Sequence, residues 1–131
     1  MKLNAVIERG QDGGFAICVR EMPGLLGYGL TEEEAKADFL EVCNEQVEYY
    51  RSKHGESPEW ENAEISYSYD IAAFFAAFPF INVSQFANFV GINPSLMRKY
   101  KQGLATASQK QLSIIQSGIG QMVNHLQSVQ F

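Results

Sequence analysis

The chain has 131 residues, a formal net charge of −5, 46% hydrophobic and 12% aromatic content, which suits one ordinary domain or two small ones and excludes a disordered chain. It contains no run of roughly 18 apolar residues, and its N-terminus turns polar by Glu8, so neither a membrane span nor a secretory signal is supported and a cytoplasmic protein is expected. Cys18 and Cys43 come with no C-x-x-C and no clustered histidine, so they read as small core residues rather than as zinc ligands or a disulfide.

The first elements are strands. Leu3, Ala5 and Ile7 alternate through Leu3 to Glu8, and Phe15, Ile17 and Val19 alternate through Phe15 to Arg20. The Gly10 to Gly14 segment between them, with Asp12-Gly13, is a hairpin turn signal, so the two runs form an antiparallel pair. After Met22-Pro23-Gly24 comes a further short strand, Leu25 to Leu30, whose Gly27 and Gly29 suggest either a bulge or a close approach of another backbone.

Thr31 and Glu34 form a T-x-x-E capping box that opens a long helix. Ala35, Phe39, Cys43, Val47 and Tyr50 recur at nearly four-residue spacing as its buried stripe, widened by Leu40 and Val42. Glu32, Glu33, Lys36, Asp38, Glu41, Glu45 and Glu48 make a charged outer face. Gly55 and Pro58 end the helix, and Glu64 to Tyr69 alternates as a last strand. One helix against an antiparallel sheet is an α+β body.

These residues, in this order, resemble the HicB-like antitoxin family. The matching stretches are Asp12-Gly13-Gly14-Phe15, Met22-Pro23-Gly24-Leu25, Gly29, and Thr31-Glu32-Glu33-Glu34-Ala35, within about the first 70 residues. Leu25 stands where the family often has cysteine, and Leu30 where it usually has aspartate. The resemblance implies a partial RNase H-like domain that binds and masks a small basic HicA-like toxin, an RNA-cleaving protein. The toxin-binding candidates are Leu26 and Tyr28 on the glycine-bearing strand, which could pair with a partner strand if it lies at the sheet edge. Glu34, Asp38 and Glu41 on the acidic helix face could instead meet a basic surface.

Asp70 caps the next helix, with Ile71, Phe74, Phe75 and Phe78 as its apolar stripe, and Pro79 ends it. The sequence Asn82 to Gly103, NVSQFANFVGINPSLMRKYKQG, reads as two short helices hinged on glycine. Asn82 caps the first with Gln85 three residues on. Gly91 supplies a turn with φ > 0, Asn93 caps the second, and Pro94 takes its first position. Met97 and Tyr100 point inward, leaving Arg98, Lys99 and Lys101 outward. Ala87, Gly91, the Ile92 and Met97 pair, and Gly103 together resemble the helix-turn-helix of phage repressors (the XRE type), a fusion that the HicB-like family uses. This implies binding of double-stranded promoter DNA through Asn93, Ser95, Arg98, Lys99 and Lys101. Arg98 is the candidate for guanine and Lys101 for phosphate.

Charge divides in the same place. Residues 1–69 hold 14 carboxylates against 6 Lys and Arg, a net of −8, and residues 70–131 hold Asp70 against Arg98, Lys99, Lys101 and Lys110, a net of +3. The domains expected are thus residues 1–69, α+β and toxin-binding, and residues 70–131, helical and DNA-binding. Four cations bind DNA weakly in one copy, so a homodimer is expected. Leu112, Ile115, Ile119, Met122 and Leu126 offer a seam for it, with packing back on their own domain as the alternative.

No catalytic site is read. Asp12, Asp38 and Asp70 fall in a turn, on a helix and at the domain junction, which does not suit a two-metal nuclease. His54 and His125 lie near helix ends away from any nucleophile, so neither metal nor cofactor is expected. The rival readings are a stand-alone regulator with an N-terminal sensing domain, and an RNA-cleaving protein built on the RNase H-like body.

Overall fold

A computed structural model describes residues 1–10 and 12–131. Gln11, in the expected hairpin turn, lies outside the described residues. Contacts divide the chain into two units, Met1–Ala77 and Phe78–Phe131.

In the first unit the alternating runs become β1 (Lys2–Arg9), β2 (Phe15–Val19) and β3 (Met22–Gly29), followed by α1 (Glu32–His54), β4 (Glu64–Tyr69) and α2 (Ile71–Ala77). The sheet order is β3-β2-β1-β4. β1 pairs antiparallel with β2 and β2 with β3, whereas β4 runs parallel to β1, with Leu3 opposite Ile65 and Ile7 opposite Tyr69. The α+β class therefore holds, but the sheet is mixed rather than antiparallel. The reason lies in the connection: strands joined by a tight turn must reverse, whereas 23 residues of helix carry the chain from one sheet edge to the other and let β4 enter in the direction of β1.

The core lies between the sheet and α1. Leu3, Ala5 and Ile7, Phe15, Ile17 and Val19, and Leu25 face Ala35, Phe39 and Cys43. The helix comes very close at β3. A Cβ on Gly27 would stand 2.5 Å from the backbone of Phe39, and one on Gly29 2.4 Å from that of Ala35. Those two glycines are thus seats for the helix backbone. Leu40, expected in the stripe, is exposed instead, because it sits one residue round from Phe39 and off the line of Ala35, Phe39, Cys43 and Val47.

The capping box closes on one side only. Thr31 Oγ1 accepts the Glu34 N–H at 3.1 Å, but the Glu34 carboxylate accepts the Leu30 N–H at 3.1 Å, one residue before the cap. Gly55 ends α1 at φ +76°. On the far edge, Tyr69 donates its hydroxyl to Glu32 and Lys36 stands over the Tyr67 ring, tying β4 to α1.

The boundary between units falls between Ala77 and Phe78, eight residues later than the expected 69/70 junction. Asp70 N–H extends the parallel ladder to the Ile7 carbonyl at 2.9 Å, and Ala73, fully buried, belongs to the first core. Asp70 caps α2 as expected, accepting the Ala73 N–H at 2.7 Å. Apolar α2 thus serves the sheet on which it follows directly. Its end at Ala77 agrees with the restraint that Pro79 places on the residue before it.

The second unit holds α3 (Val83–Val90), α4 (Pro94–Lys101) and α5 (Gln109–Gln127). Asn82, Asn93 and Ser108 cap them through side-chain oxygens that accept the N–H groups of Gln85, Ser95 and Gln111. Gly91 turns the chain at φ +85°. Phe86, Ala87, Ile92, Met97, Tyr100 and Ile115 are buried. At the crossing of α3 and α5, a Cβ on Gly118 would meet Val90 Cγ1 at 2.1 Å, so only glycine lets the helices approach this closely.

Candidate nucleic-acid interface and partner surface

Three residues, 91–93, join α3 to α4, and burial of Met97 and Tyr100 fixes the roll of α4. At about 100° per residue, the stripe opposite those two is Ser95, Lys99 and Gln102, all exposed. Arg98 and Lys101 form a flank beside it. Ser95 and Lys99 thus stand on the outermost face, as expected. Asn93 spends its side-chain oxygen on the Ser95 N–H at 2.8 Å, which leaves its amide NH2 to act outward.

Arg98 turns away from that outer stripe. Its Nη1 donates to Ser84 Oγ of α3 at 2.9 Å. Together with Lys101 it lines a cleft of about 430 Å³ whose other walls include Pro79, Asn82 and Val83. This neighbour was not legible in the sequence, since residues 84 and 98 meet only after the turn is formed.

The new boundary sharpens the charge division. Residues 78–131 contain Arg98, Lys99, Lys101 and Lys110 and no Asp or Glu, a net of +4, and residues 1–77 hold all 15 carboxylates against 6 cations, a net of −9. No carboxylate side chain in the second unit can neutralise those four cations. The ion pairs Lys36–Glu32, Arg51–Glu48 and Arg51–Glu61 all lie in the first unit.

The proposed toxin-facing residues separate into two groups. β3 is an edge strand, and Leu26 and Tyr28 expose 53% and 41% of their surface on the sheet face away from α1. Asp38 and Glu34 are engaged with that strand and its end: Asp38 Oδ2 accepts the Tyr28 N–H at 2.8 Å, and Glu34 takes that of Leu30, just past β3. Glu41 is exposed on α1. Behind Leu26 and Tyr28 the register places Cys18 and Ala16, and then Val6 and Glu8.

Burial pushes the Cys18 thiol up, helped by the Glu8 carboxylate 3.4 Å away, and burial alone pushes up that of Cys43. Both stay protonated thiols at neutral pH. Among the described residues no group of three or more His, Cys, Asp or Glu is placed to hold a metal ion, and no helix is long and apolar enough to cross a membrane.

Compared with models of protein families, with curated proteins and with solved structures, the chain has no match in any of the three. The class defined by the fold itself is an α+β unit joined to an all-helical one.

Proposed function

We propose that this chain is an antitoxin-like transcriptional autorepressor: the first unit binds and neutralises a small basic RNA-cleaving toxin, and the second, as a homodimer, binds promoter DNA. The observation that carries the DNA half is α4, with an exposed outer stripe, an adjoining basic flank, and no carboxylate in its unit to compete for either. Phosphate neutralisation and counterion release reward such a surface. The toxin half is supported by the resemblance of the first 70 residues, by a net charge of −9 suited to a basic partner, and by exposed Leu26 and Tyr28 as apolar contacts.

The structure bears on how such a partner would attach. Strand addition at Tyr28 and Leu30 has to displace Asp38 and Glu34 from their N–H groups, so contact through the Leu26 and Tyr28 side chains fits this reading better than edge pairing does.

Two measurements test the proposal. Fluorescence anisotropy of the full chain against a duplex from the DNA upstream of its own gene should show salt-dependent binding stronger than to a scrambled duplex. Co-expression with the small open reading frame beside the gene should relieve toxicity and yield a co-purifying complex. DNA binding without any such complex turns the reading into a stand-alone regulator.

A further inference from the structure

The cleft between α3 and α4 combines apolar walls, Pro79, Ile81 and Val83, with the hydrogen-bond donors of Asn82, Ser84, Arg98 and Lys101. Arg98 gives one N–H to Ser84 and keeps the rest of its fork, and Ser84, having accepted, still has its hydroxyl hydrogen to donate. Asn82 uses its oxygen on the Gln85 N–H, which leaves its NH2 group, and Lys101 brings an ammonium. No carboxylate lies anywhere in the unit. A space of about 430 Å³ admits a tetrahedral oxyanion, and the Ser84 bond holds the guanidinium in place before any ligand arrives.

Arg98 and Lys101, three residues apart, share one flank of α4, whereas Ser95 and Lys99, four apart, share the outermost line opposite the buried Met97 and Tyr100. One eight-residue helix thus presents two chemically different sides.

Resting on the DNA-binding reading above, we propose that this cleft is a clamp for a backbone phosphodiester of DNA, made by Arg98, Lys101, Ser84 and Asn82. In this arrangement Ser95 and Lys99 are the residues that reach base edges. Arg98 is then a positioning contact that carries no sequence information, the reverse of the guanine contact that its residue type suggests.

The test uses the full-length protein, with anisotropy titrations over a salt series against two duplexes: the DNA upstream of its own gene and a scrambled sequence of equal composition. Arg98→Ala should weaken binding to both duplexes by the same factor, about tenfold. It should also lower the slope of log affinity against log salt by about 0.9, the share of one phosphate. Ser84→Ala should weaken both by a smaller common factor. Ser95→Ala should reduce the preference for the upstream duplex and leave the slope unchanged. Thermal melts of each variant report folding, which substitutions at exposed Ser95 and Arg98 and at half-buried Ser84 leave intact. Loss of preference in Arg98→Ala, or no effect on either duplex, overturns the clamp while the DNA-binding reading stands. A wild-type protein that binds neither duplex overturns both.

Discussion

Asp38 Oδ2 accepts the backbone N–H of Tyr28 at 2.8 Å, so a carboxylate of α1 takes up an outward-pointing donor of the edge strand β3. Glu34 does the same for Leu30. A bare edge invites pairing with another chain, and here one donor of the strand and the N–H just beyond its end are already occupied. Asp38→Ala should therefore cost about 1 kcal/mol, less than the roughly 1.5 to 3 of a buried bond to a charged group because this one faces solvent, and should increase self-association. Urea denaturation and light scattering check the two effects.

The two tight glycines of β3 separate from a third that is roomy. Gly27→Ala forces the α1 backbone at Phe39 outward and should destabilise the first unit by about 1 to 3 kcal/mol, the usual range for overpacking. Gly24→Ala meets only the end of the Gln46 side chain, 3.6 Å away, and should stay within about 0.5 kcal/mol of the wild type. Denaturant midpoints of the two variants measure the contrast.

Helix α5 offers a similar pair with opposite signs. Gly118→Ala collides with Val90 and should destabilise the second unit, with Val90→Ala restoring part of the loss. Nothing lies within 4 Å of a Cβ at Gly120, so Gly120→Ala should stabilise the helix by about 0.5 to 1 kcal/mol. Thermal melts, with the double variant included, give both answers.

Among the groups whose ionisation is pushed up, Asp70 and Tyr69 should mark the acid and alkaline ends of the stability profile. Burial, the main cause, and the nearby Glu8 push Asp70 above its ordinary 3.8, against the lowering effect of its bonds to the Ala73 and Arg9 N–H groups. Its folded form therefore holds a proton more tightly than its unfolded form. The stability it contributes is full below 3.8 and is lost as pH rises through the folded value. Asp70→Asn keeps an oxygen to cap α2 and carries no charge, so it should melt higher than the wild type at pH 7 and converge with it at pH 3. Tyr69, pushed up to about 12 by burial and by its hydrogen bond to Glu32, has the same sign at the alkaline end, where stability falls between about 10 and 12. Melting temperatures across pH 3 to 11 of wild type, Asp70→Asn and Tyr69→Phe check the directions.

The proposed dimer should depend on the later part of α5 and the residues after it. Ile115 is buried and Gly118 sits against Val90, whereas Val123, Leu126 and Val129 are exposed. Val123→Asp with Leu126→Asp should give a monomer in light scattering at micromolar concentration, with the melt of the unit unchanged. A dimer that persists in this variant places the contact elsewhere.

Local chemistry was the legible part of this sequence. Thr31, Asp70, Asn82 and Asn93 act as caps because an N-cap needs only its own oxygen and an N–H two or three residues on. Gly27 and Gly29 signalled a bulge or a close approach, and of the two it is the close approach that α1 makes there. What pairs across distance was not legible. Alternation in β4 says that it is a strand, but its parallel register with β1 follows from where α1 deposits the chain. The placement of α2 with the first unit depends on the burial of Ala73, a residue with no signal beside the phenylalanines that follow it. Arg98 and Ser84 are ordinary surface residues until the crossing of α3 and α4 brings them together.

The absence of Asp and Glu from residues 78–131 makes the two units differ in how their charge responds to acid. Acidification reduces negative charge by protonating carboxylates, and in the second unit it has no such side chain to act on. On the proposed reading, binding to nucleic acid through that unit should persist as pH falls to about 4, the range in which carboxylates take up protons and the attraction of the first unit for a basic partner should fade. If the proposed function holds, the chain would release a basic partner in acid before it released nucleic acid.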